Sequence, residues 1–221
     1  MLFLIATPIG NLGDITLRAI ETLKEVDLIA AEDTRHSGNL LRHLEIHKPL
    51  VSYHAHNEAR RTQELIERLE AGQKVAVISD AGMPGISDPG HRLLRACIER
   101  NLPYSILPGP SAVLTALVGS GFPADRFYFG GFLPTKSGQR ERELLGANAR
   151  TETSIFFESP YRLLKSLQVC ADHFPQRQVC VARELTKRFE EFRIGPAQEL
   201  IAHYSARTVK GEIVFLIRGM T

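Results

Sequence analysis

Short apolar runs alternate with segments of helical periodicity through the first half of this chain, and that alternation most limits the available folds. Leu2–Ala6, Asp27–Ala31, Pro49–Tyr53, Val75–Ile78 and Tyr104–Leu107 read as strands. Between them, Leu17, Ile20, Leu23 and Lys24 recur at helical spacing within Thr16–Glu25, and a second helix ends near Leu44. A third, headed by Asn57 as its expected cap, carries Leu65, Ile66 and Leu69 and is closed by Gly72. A fourth spans His91–Glu99. Strand–helix alternation of this kind predicts a parallel sheet with helices on both faces. The pattern breaks at Gly119-Ser120-Gly121-Phe122-Pro123, where we place a boundary between domains 1–119 and 120–221. Beyond it lie strands at Phe127–Phe132, Ser154–Phe157, Val179–Ala182, roughly Phe189–Ile194 and Ile213–Ile217, with a helix over Tyr161–Phe174. The short connection from Ala182 to Phe189 suits a hairpin, so the second half is expected to hold a mixed sheet.

At 221 residues the chain accommodates two domains of about a hundred residues each. An apolar fraction of 43% with 24% charged residues is ordinary for a globular protein. The net charge of +2 creates no global field that demands a nucleic-acid or membrane partner, although a local patch suffices for RNA. Cys97, Cys170 and Cys180 are far apart, sit in apolar runs and match no metal-ligand spacing, so they read as buried reduced thiols. The apolar start, Met1–Ala6, lacks a basic flank and runs into Thr7-Pro8-Ile9-Gly10, as a first strand would. No run reaches membrane-spanning length. These features predict a soluble, cytoplasmic protein.

Ser79–Gly90 holds three glycines and two prolines in twelve residues, so it continues neither the strand before it nor the helix after it. A shaped loop at the carboxyl end of a strand is where open α/β sheets bind ligands. Asp80 and Asp88 add acceptors for hydroxyl or amine groups. The turn Thr7–Asp14 is neither a dinucleotide fingerprint nor a Walker A motif. Glu32-Asp33-Thr34-Arg35-His36 places two carboxylates and two cations at a strand end. The alternative there is a helix cap by Asp33 or Thr34, with Glu32 or Arg35 in a structural ion pair. His54 and His56 lack a third strong ligand, and we expect no metal. In the second half, Lys136, Arg140, Arg142 and Lys187 sketch a basic rim for a phosphate backbone.

These blocks occur in one order through nearly the whole chain: Ala6–Asp14, Ala31–Arg35, His56–Glu58, Ser79–Gly90, Pro108–Ala112, Phe157–Arg162, Arg183–Lys187 and Lys210–Ile213. The chain thereby resembles the type I small-subunit ribosomal RNA methyltransferases, ribose 2′-O-methylating members of the tetrapyrrole methylase superfamily. The resemblance implies a homodimer of two α/β domains of the class III methyltransferase type, with S-adenosylmethionine in the interdomain cleft. It implies methylation of a cytidine 2′-hydroxyl in the decoding region of 16S rRNA within the small ribosomal subunit. The implied cofactor contacts are Gly82, Met83, Pro84 and Ile86, with Asp80 as a polar partner, then Ser111 and Ala112. Phe157, Glu158, Ala182, Arg183, Gly211 and Glu212 complete that set. Met83 departs from the residue usual at its position. Asn11, Arg35 and Asn57 would face the RNA with Lys136, Arg140, Arg142 and Lys187. A ribose hydroxyl needs a base, for which Asp33, Glu32, Asp14 and His54 are candidates, Asp33 foremost.

Overall fold

Five short strands, β1 (Leu2–Ile5), β2 (Leu28–Ala31), β3 (Leu50–Ser52), β4 (Val75–Ile78) and β5 (Tyr104–Leu107), form one sheet in the order β3-β2-β4-β1-β5. Every neighbouring pair is parallel. The structure is a computed structural model that describes residues 1–220. Helices α1 (Leu17–Glu25), α2 (Thr34–His43), α3 (Glu58–Glu70) and α4 (His91–Glu99) connect the strands. Because successive strand residues point to opposite faces, β1, β2 and β4 each feed two cores. Leu2, Leu4, Ala30, Val75 and Val77 pack with Leu65, Ile66 and Leu69 of α3 and with Leu93 and Cys97 of α4. Ile5, Ile29, Ala76 and Ile78 pack with Ala19 and Leu23 of α1 and Leu41 of α2. Each aliphatic side chain buried in these layers contributes about 1.5–3 kcal/mol.

Thr16 heads α1 with its hydroxyl accepting from Ala19 N at 3.1 Å. Asn57 does not act as the expected cap of α3. Its Oδ1 accepts from His54 N at 2.9 Å, and its Nδ2 donates to Ser52 O and Oγ at 3.2 and 3.1 Å. The amide turns back to the end of β3 because that end offers both a donor and acceptors.

The second unit comprises α5 (Ala112–Ser120), β6 (Phe127–Phe132), α6 (Ser137–Asn148), β7 (Thr153–Glu158), α7 (Leu163–His173), β8 (Gln178–Arg183), β9 (Glu191–Pro196), α8 (Ala197–Ser205) and β10 (Ile213–Ile217). Its sheet runs β6-β7-β10-β8-β9, parallel between β6 and β7 and antiparallel elsewhere. Leu144, Leu163, Leu167 and Tyr204 of α6, α7 and α8 cover one face, around Phe156, Val181 and Phe215. The chain divides at Ser111 and Ala112, before α5. The boundary read at Gly119–Pro123 lies after that helix. The reason is packing: α5 lies against β8, β9 and β10 and so belongs to the second sheet.

Two further differences are local. β9 starts at Glu191, not near Phe189, because Glu191 is the register partner of Arg183. The residues between form a turn with Glu184 and Thr186 at φ 51° and 63°. Helix α8 is absent from the sequence reading, and its buried residues, Ala197, Leu200 and Tyr204, follow helical spacing. Cys97, Cys170 and Cys180 are free and buried, as expected. Among the described residues no helix is long and apolar enough to cross a membrane.

A Cβ added at Gly130 in β6 would collide with the fully buried ring of Phe156. Gly130→Ala is therefore expected to destabilise the protein by about 1–3 kcal/mol, the usual cost of overpacking. Thermal unfolding checks this, and an unchanged midpoint would mean that the ring has room to move.

Candidate active site at the carboxyl edge of the first sheet

Because all five strands of the first sheet are parallel, their following loops gather at one edge. The strand order seats Ser79–Gly90, after β4, between Glu32–Arg35, after β2, and Thr7–Asp14, after β1. The β1–β4 pairing continues into these loops. Thr7 N donates to Gly82 O at 2.9 Å and Gly82 N to Thr7 O at 3.0 Å, while Thr7 Oγ1 donates to Ser79 O at 3.0 Å. Gly82 has φ +84°, and a Cβ there would lie 3.5 Å from Ile9 and 3.7 Å from Pro110 O. The loops after β1, β4 and β5 thus meet around a position whose backbone favours glycine. Further along, Gly85 N donates to Pro89 O at 3.1 Å and Ile86 N to Met83 O at 3.3 Å, folding the loop onto itself. Its end is tied to α3: Gly90 N donates to Glu58 Oε1 at 3.3 Å, which also accepts the Tyr53 hydroxyl at 3.2 Å. Pro84 is buried, Met83 half-buried and Ile86 exposed. Ser111 and Ala112, both half-buried, lead from the β5 loop into α5.

The carboxylates of this edge have different environments. Asp33 caps α2 by accepting from Arg35 N at 2.8 Å, and it also accepts from Arg35 Nε and Nη2 at 3.3 and 3.1 Å. Those bonds, the side-chain ones foremost, hold its carboxyl at about 2. This is the cap and ion pair given above as the alternative for the block. Asp33 N meanwhile donates to Asp80 Oδ1 at 3.1 Å, linking the β2 and β4 loops. Glu32 is raised from the usual range by burial and then by the negative charge of Asp80, with His54 opposing. Burial, followed by the charges of Glu32 and Asp80, pushes Asp88 up to about 7. His54 is held by Asn57, and its Nδ1 is buried without a hydrogen-bond partner. Asp14 is exposed in a 3-10 turn over Leu12–Asp14 that Asn11 caps through Gly13 N at 3.0 Å. Among the described residues no group of three His, Cys, Asp or Glu is placed to hold a metal ion.

In the second unit, β10 pairs with both β7 and β8. It thereby draws Phe157, Glu158, Ala182, Arg183 and the Gly211–Glu212 turn to one edge of that sheet. The ionic side chains there are engaged internally. Glu158 is buried and accepts from Ser159 N at 2.6 Å, Arg162 Nε at 3.1 Å and Ser166 Oγ. Arg183 donates to Glu191 at 3.1 Å and to the carbonyls of Lys210 and Phe189 at 3.1 and 3.4 Å. Lys187 bridges Glu184 and Glu212 at 3.0 and 2.8 Å. Arg140 is only 4% exposed and donates to the carbonyls of Pro134 and Thr135. Lys136 and Arg142 are exposed.

The coupling of Asp88 to Glu32, and the bracing of the loop by Glu58, lay outside the sequence reading. Both residues fall within the matched blocks, but 56 positions separate Glu32 from Asp88 (88 − 32), and only sheet order makes their loops neighbours. The proton on Asp88 leaves at about 7 in the folded protein against an ordinary 3.8. Folding therefore favours the protonated group, a contribution that is full below about pH 4 and lost as pH rises through about 7. Asp88→Asn is expected to gain stability relative to the parent between those limits. Unfolding midpoints that track the parent in parallel across the range would show that Asp88 does not feel its neighbours.

The first 201 residues match the family model described as Tetrapyrrole (Corrin/Porphyrin) Methylases. The ribosomal RNA small subunit methyltransferase I of a Synechocystis species is 51% identical over 222 residues, covering 100% of this chain and 80% of that protein. The protein of the same name from Thermotoga maritima is 45% identical, over 99% of this chain and 98% of its own length. Among solved structures, diphthine synthase superposes with a TM-score of 0.75 at 13% identity, covering 100% of this chain and 90% of the other. The methyltransferase CobJ superposes at 0.73 and 17% identity, covering 99% and 93%. At those identities the superpositions establish the fold alone. The chain belongs to the tetrapyrrole methylase family and, through its close relatives, to the ribosomal RNA small subunit methyltransferase I group within it.

Proposed function

We propose that this protein methylates the 2′-hydroxyl of a cytidine ribose in the decoding region of 16S rRNA, acting in the cytoplasm as a homodimer on the small ribosomal subunit. The protein is an S-adenosylmethionine-dependent rRNA methyltransferase. The observation that carries the reading is the match along the whole chain to relatives of that name. The first sheet edge suits the cofactor by the chemistry of its donor set. Asp80 and Asp88 are acceptors for amine and hydroxyl groups, and Met83 and Ile86 offer apolar surface beside the Gly82 and Pro84 main chain. In the second unit we propose contacts through the Phe157 ring and the main chain at Ala182 and Gly211. The carboxylates of Glu158 and Glu212 and the guanidinium of Arg183 already have partners.

S-adenosylmethionine supplies a methyl group activated by its sulfonium. The carbon–sulfur bond breaks as the carbon–oxygen bond forms, and the hydroxyl proton passes to a protein base. Orienting the reactants contributes up to about 7–11 kcal/mol in well-aligned systems. For the base we propose Glu32, assisted by His54, in place of Asp33. A base works best with a pKa near the operating pH, and Arg35 holds Asp33 far below it. Asp14 is exposed to solvent, and we give it no proton-transfer role. Lys136 and Arg142 are proposed to meet the RNA backbone, with Asn11 and Arg35 on the first unit. Arg140, Asn57 and Lys187 have the structural bonds described above.

Labelled S-adenosylmethionine incubated with small subunits and, separately, with naked rRNA tests the substrate. Label on a single ribose, in subunits only, is the expected result, and label on neither RNA overturns the reading. Glu32→Gln is expected to slow transfer by about 10²–10⁴-fold while retaining cofactor binding. Asp33→Asn keeps a capping side chain and is expected to retain most of the activity. The reverse pattern would return the base to Asp33.

A further inference from the structure

The amino-terminal turn of α6 concentrates positive charge with nothing to balance it. The helix dipole places about half an elementary charge at that end, and its first amide groups have no partners within the helix. Such ends commonly carry a side-chain cap or an acidic residue. The cap position of α6 is instead Lys136, without a side-chain cap bond, and the first turn contains no acid. Arg140, at the end of that turn, adds a second cation, although a cation is disfavoured there.

The Arg140 side chain is the independent observation. It is 4% exposed, and its Nη1 donates to the carbonyls of Pro134 and Thr135 at 3.3 and 3.1 Å. The guanidinium is thus seated on the turn that leads into the helix. Its Nε is buried without a partner, and among the described residues no carboxylate pairs with it. A buried charge lacking a counter-ion is costly. The neighbouring acids are directed elsewhere: Glu141 pairs with His173, and Glu143 accepts the Tyr128 hydroxyl. The turn is also open, since Ser137, Gly138 and Gln139 are exposed and a Cβ built on Gly138 meets nothing within 4 Å.

We propose that this turn is a binding site for one backbone phosphate of the RNA substrate. The phosphate accepts from the free main-chain amides of the first turn and pairs with Lys136. Arg140 is a positioning residue that holds the turn in shape through the Pro134 and Thr135 carbonyls. Backbone amides at a helix end recognise a phosphate without reading a base. The site therefore anchors the RNA and does not select its sequence. This inference rests on the rRNA reading above and names a contact that the reading leaves open.

The test is equilibrium binding of small ribosomal subunits to the intact protein over a range of salt concentrations, alongside S-adenosylmethionine binding and thermal unfolding. Ser137→Glu puts a carboxylate where the phosphate would sit, and an acid at that position also favours the helix. The expected result is subunit binding weakened about tenfold and a salt slope smaller by about one, with cofactor binding unchanged and thermal stability equal or higher. Ser137→Pro is a second variant, because Lys136 at φ −74° and ψ 129° tolerates a following proline. It removes one amide donor and is expected to weaken binding in the same direction. Parental affinity and salt slope in both variants overturn the inference and leave the methylation reading standing. An unsubstituted protein that neither binds nor methylates subunits overturns both.

Discussion

Two strands distant in sequence, β1 and β4, pair in the middle of the first sheet, and their pairing continues past the strand ends. Thr7 and Gly82 exchange main-chain hydrogen bonds beyond the last ladder residues, Ile5 and Ile78. That exchange brings a turn from the beginning of the chain against the Ser79–Gly90 loop. It also requires close main-chain approach, which is why position 82 is a glycine at φ +84°. The loop is then braced at its far end by Glu58, whose carboxylate receives both Gly90 N and the Tyr53 hydroxyl. A long connection is entropically expensive to hold in one shape. Here internal turns and two anchors on other elements hold it.

Charge at the same edge is sorted by partner. Asp33 and Arg35 satisfy each other and the start of α2, so their block contributes a rigid helix entry. Among the described residues Glu32, Asp80 and Asp88 have no such ion pair, and burial, followed by the charge of these neighbours, raises the proton affinity of Glu32 and Asp88. The two acids of the Glu32–Arg35 block look alike in sequence, yet their chemistry diverges according to which has an arginine within reach. A carboxylate held at about 7, as Asp88 is, retains its proton near neutral pH and can hold hydroxyl or amine groups.

The second unit follows the same logic with the opposite outcome. The conspicuous ionic residues after β7 and β8 are bonded to one another or to carbonyls, and they fasten the strand ends and the Gly211 turn. A Cβ at Gly211 would strike the Glu184 side chain, so this turn too needs a glycine, at φ +93°. Lys136 and Arg142 are left exposed at the start of α6, whose first turn contains no acid.

The sequence by itself determined the order of the strands along the chain, the two-sheet α/β class, the loops at strand ends and the family. These depend on local preferences: apolar runs, helical periodicity, and glycine or proline where neither element can continue. It also marked the strand-end loops that carry the cofactor and RNA candidates. The tertiary structure set their partners and their burial. Whether Asp33 or Glu32 is free to act, whether Arg140 reaches solvent or is buried, and whether Lys187 is available all depend on partners far away in the chain or on the depth of packing. The Asn57 cap and the domain boundary depended on the same things, since Asn57 turned to β3 and α5 joined the second sheet. Residue type gives each side chain its chemistry, but hydrogen-bond partners and burial set its charge state and reach, and only the assembled sheets fix those.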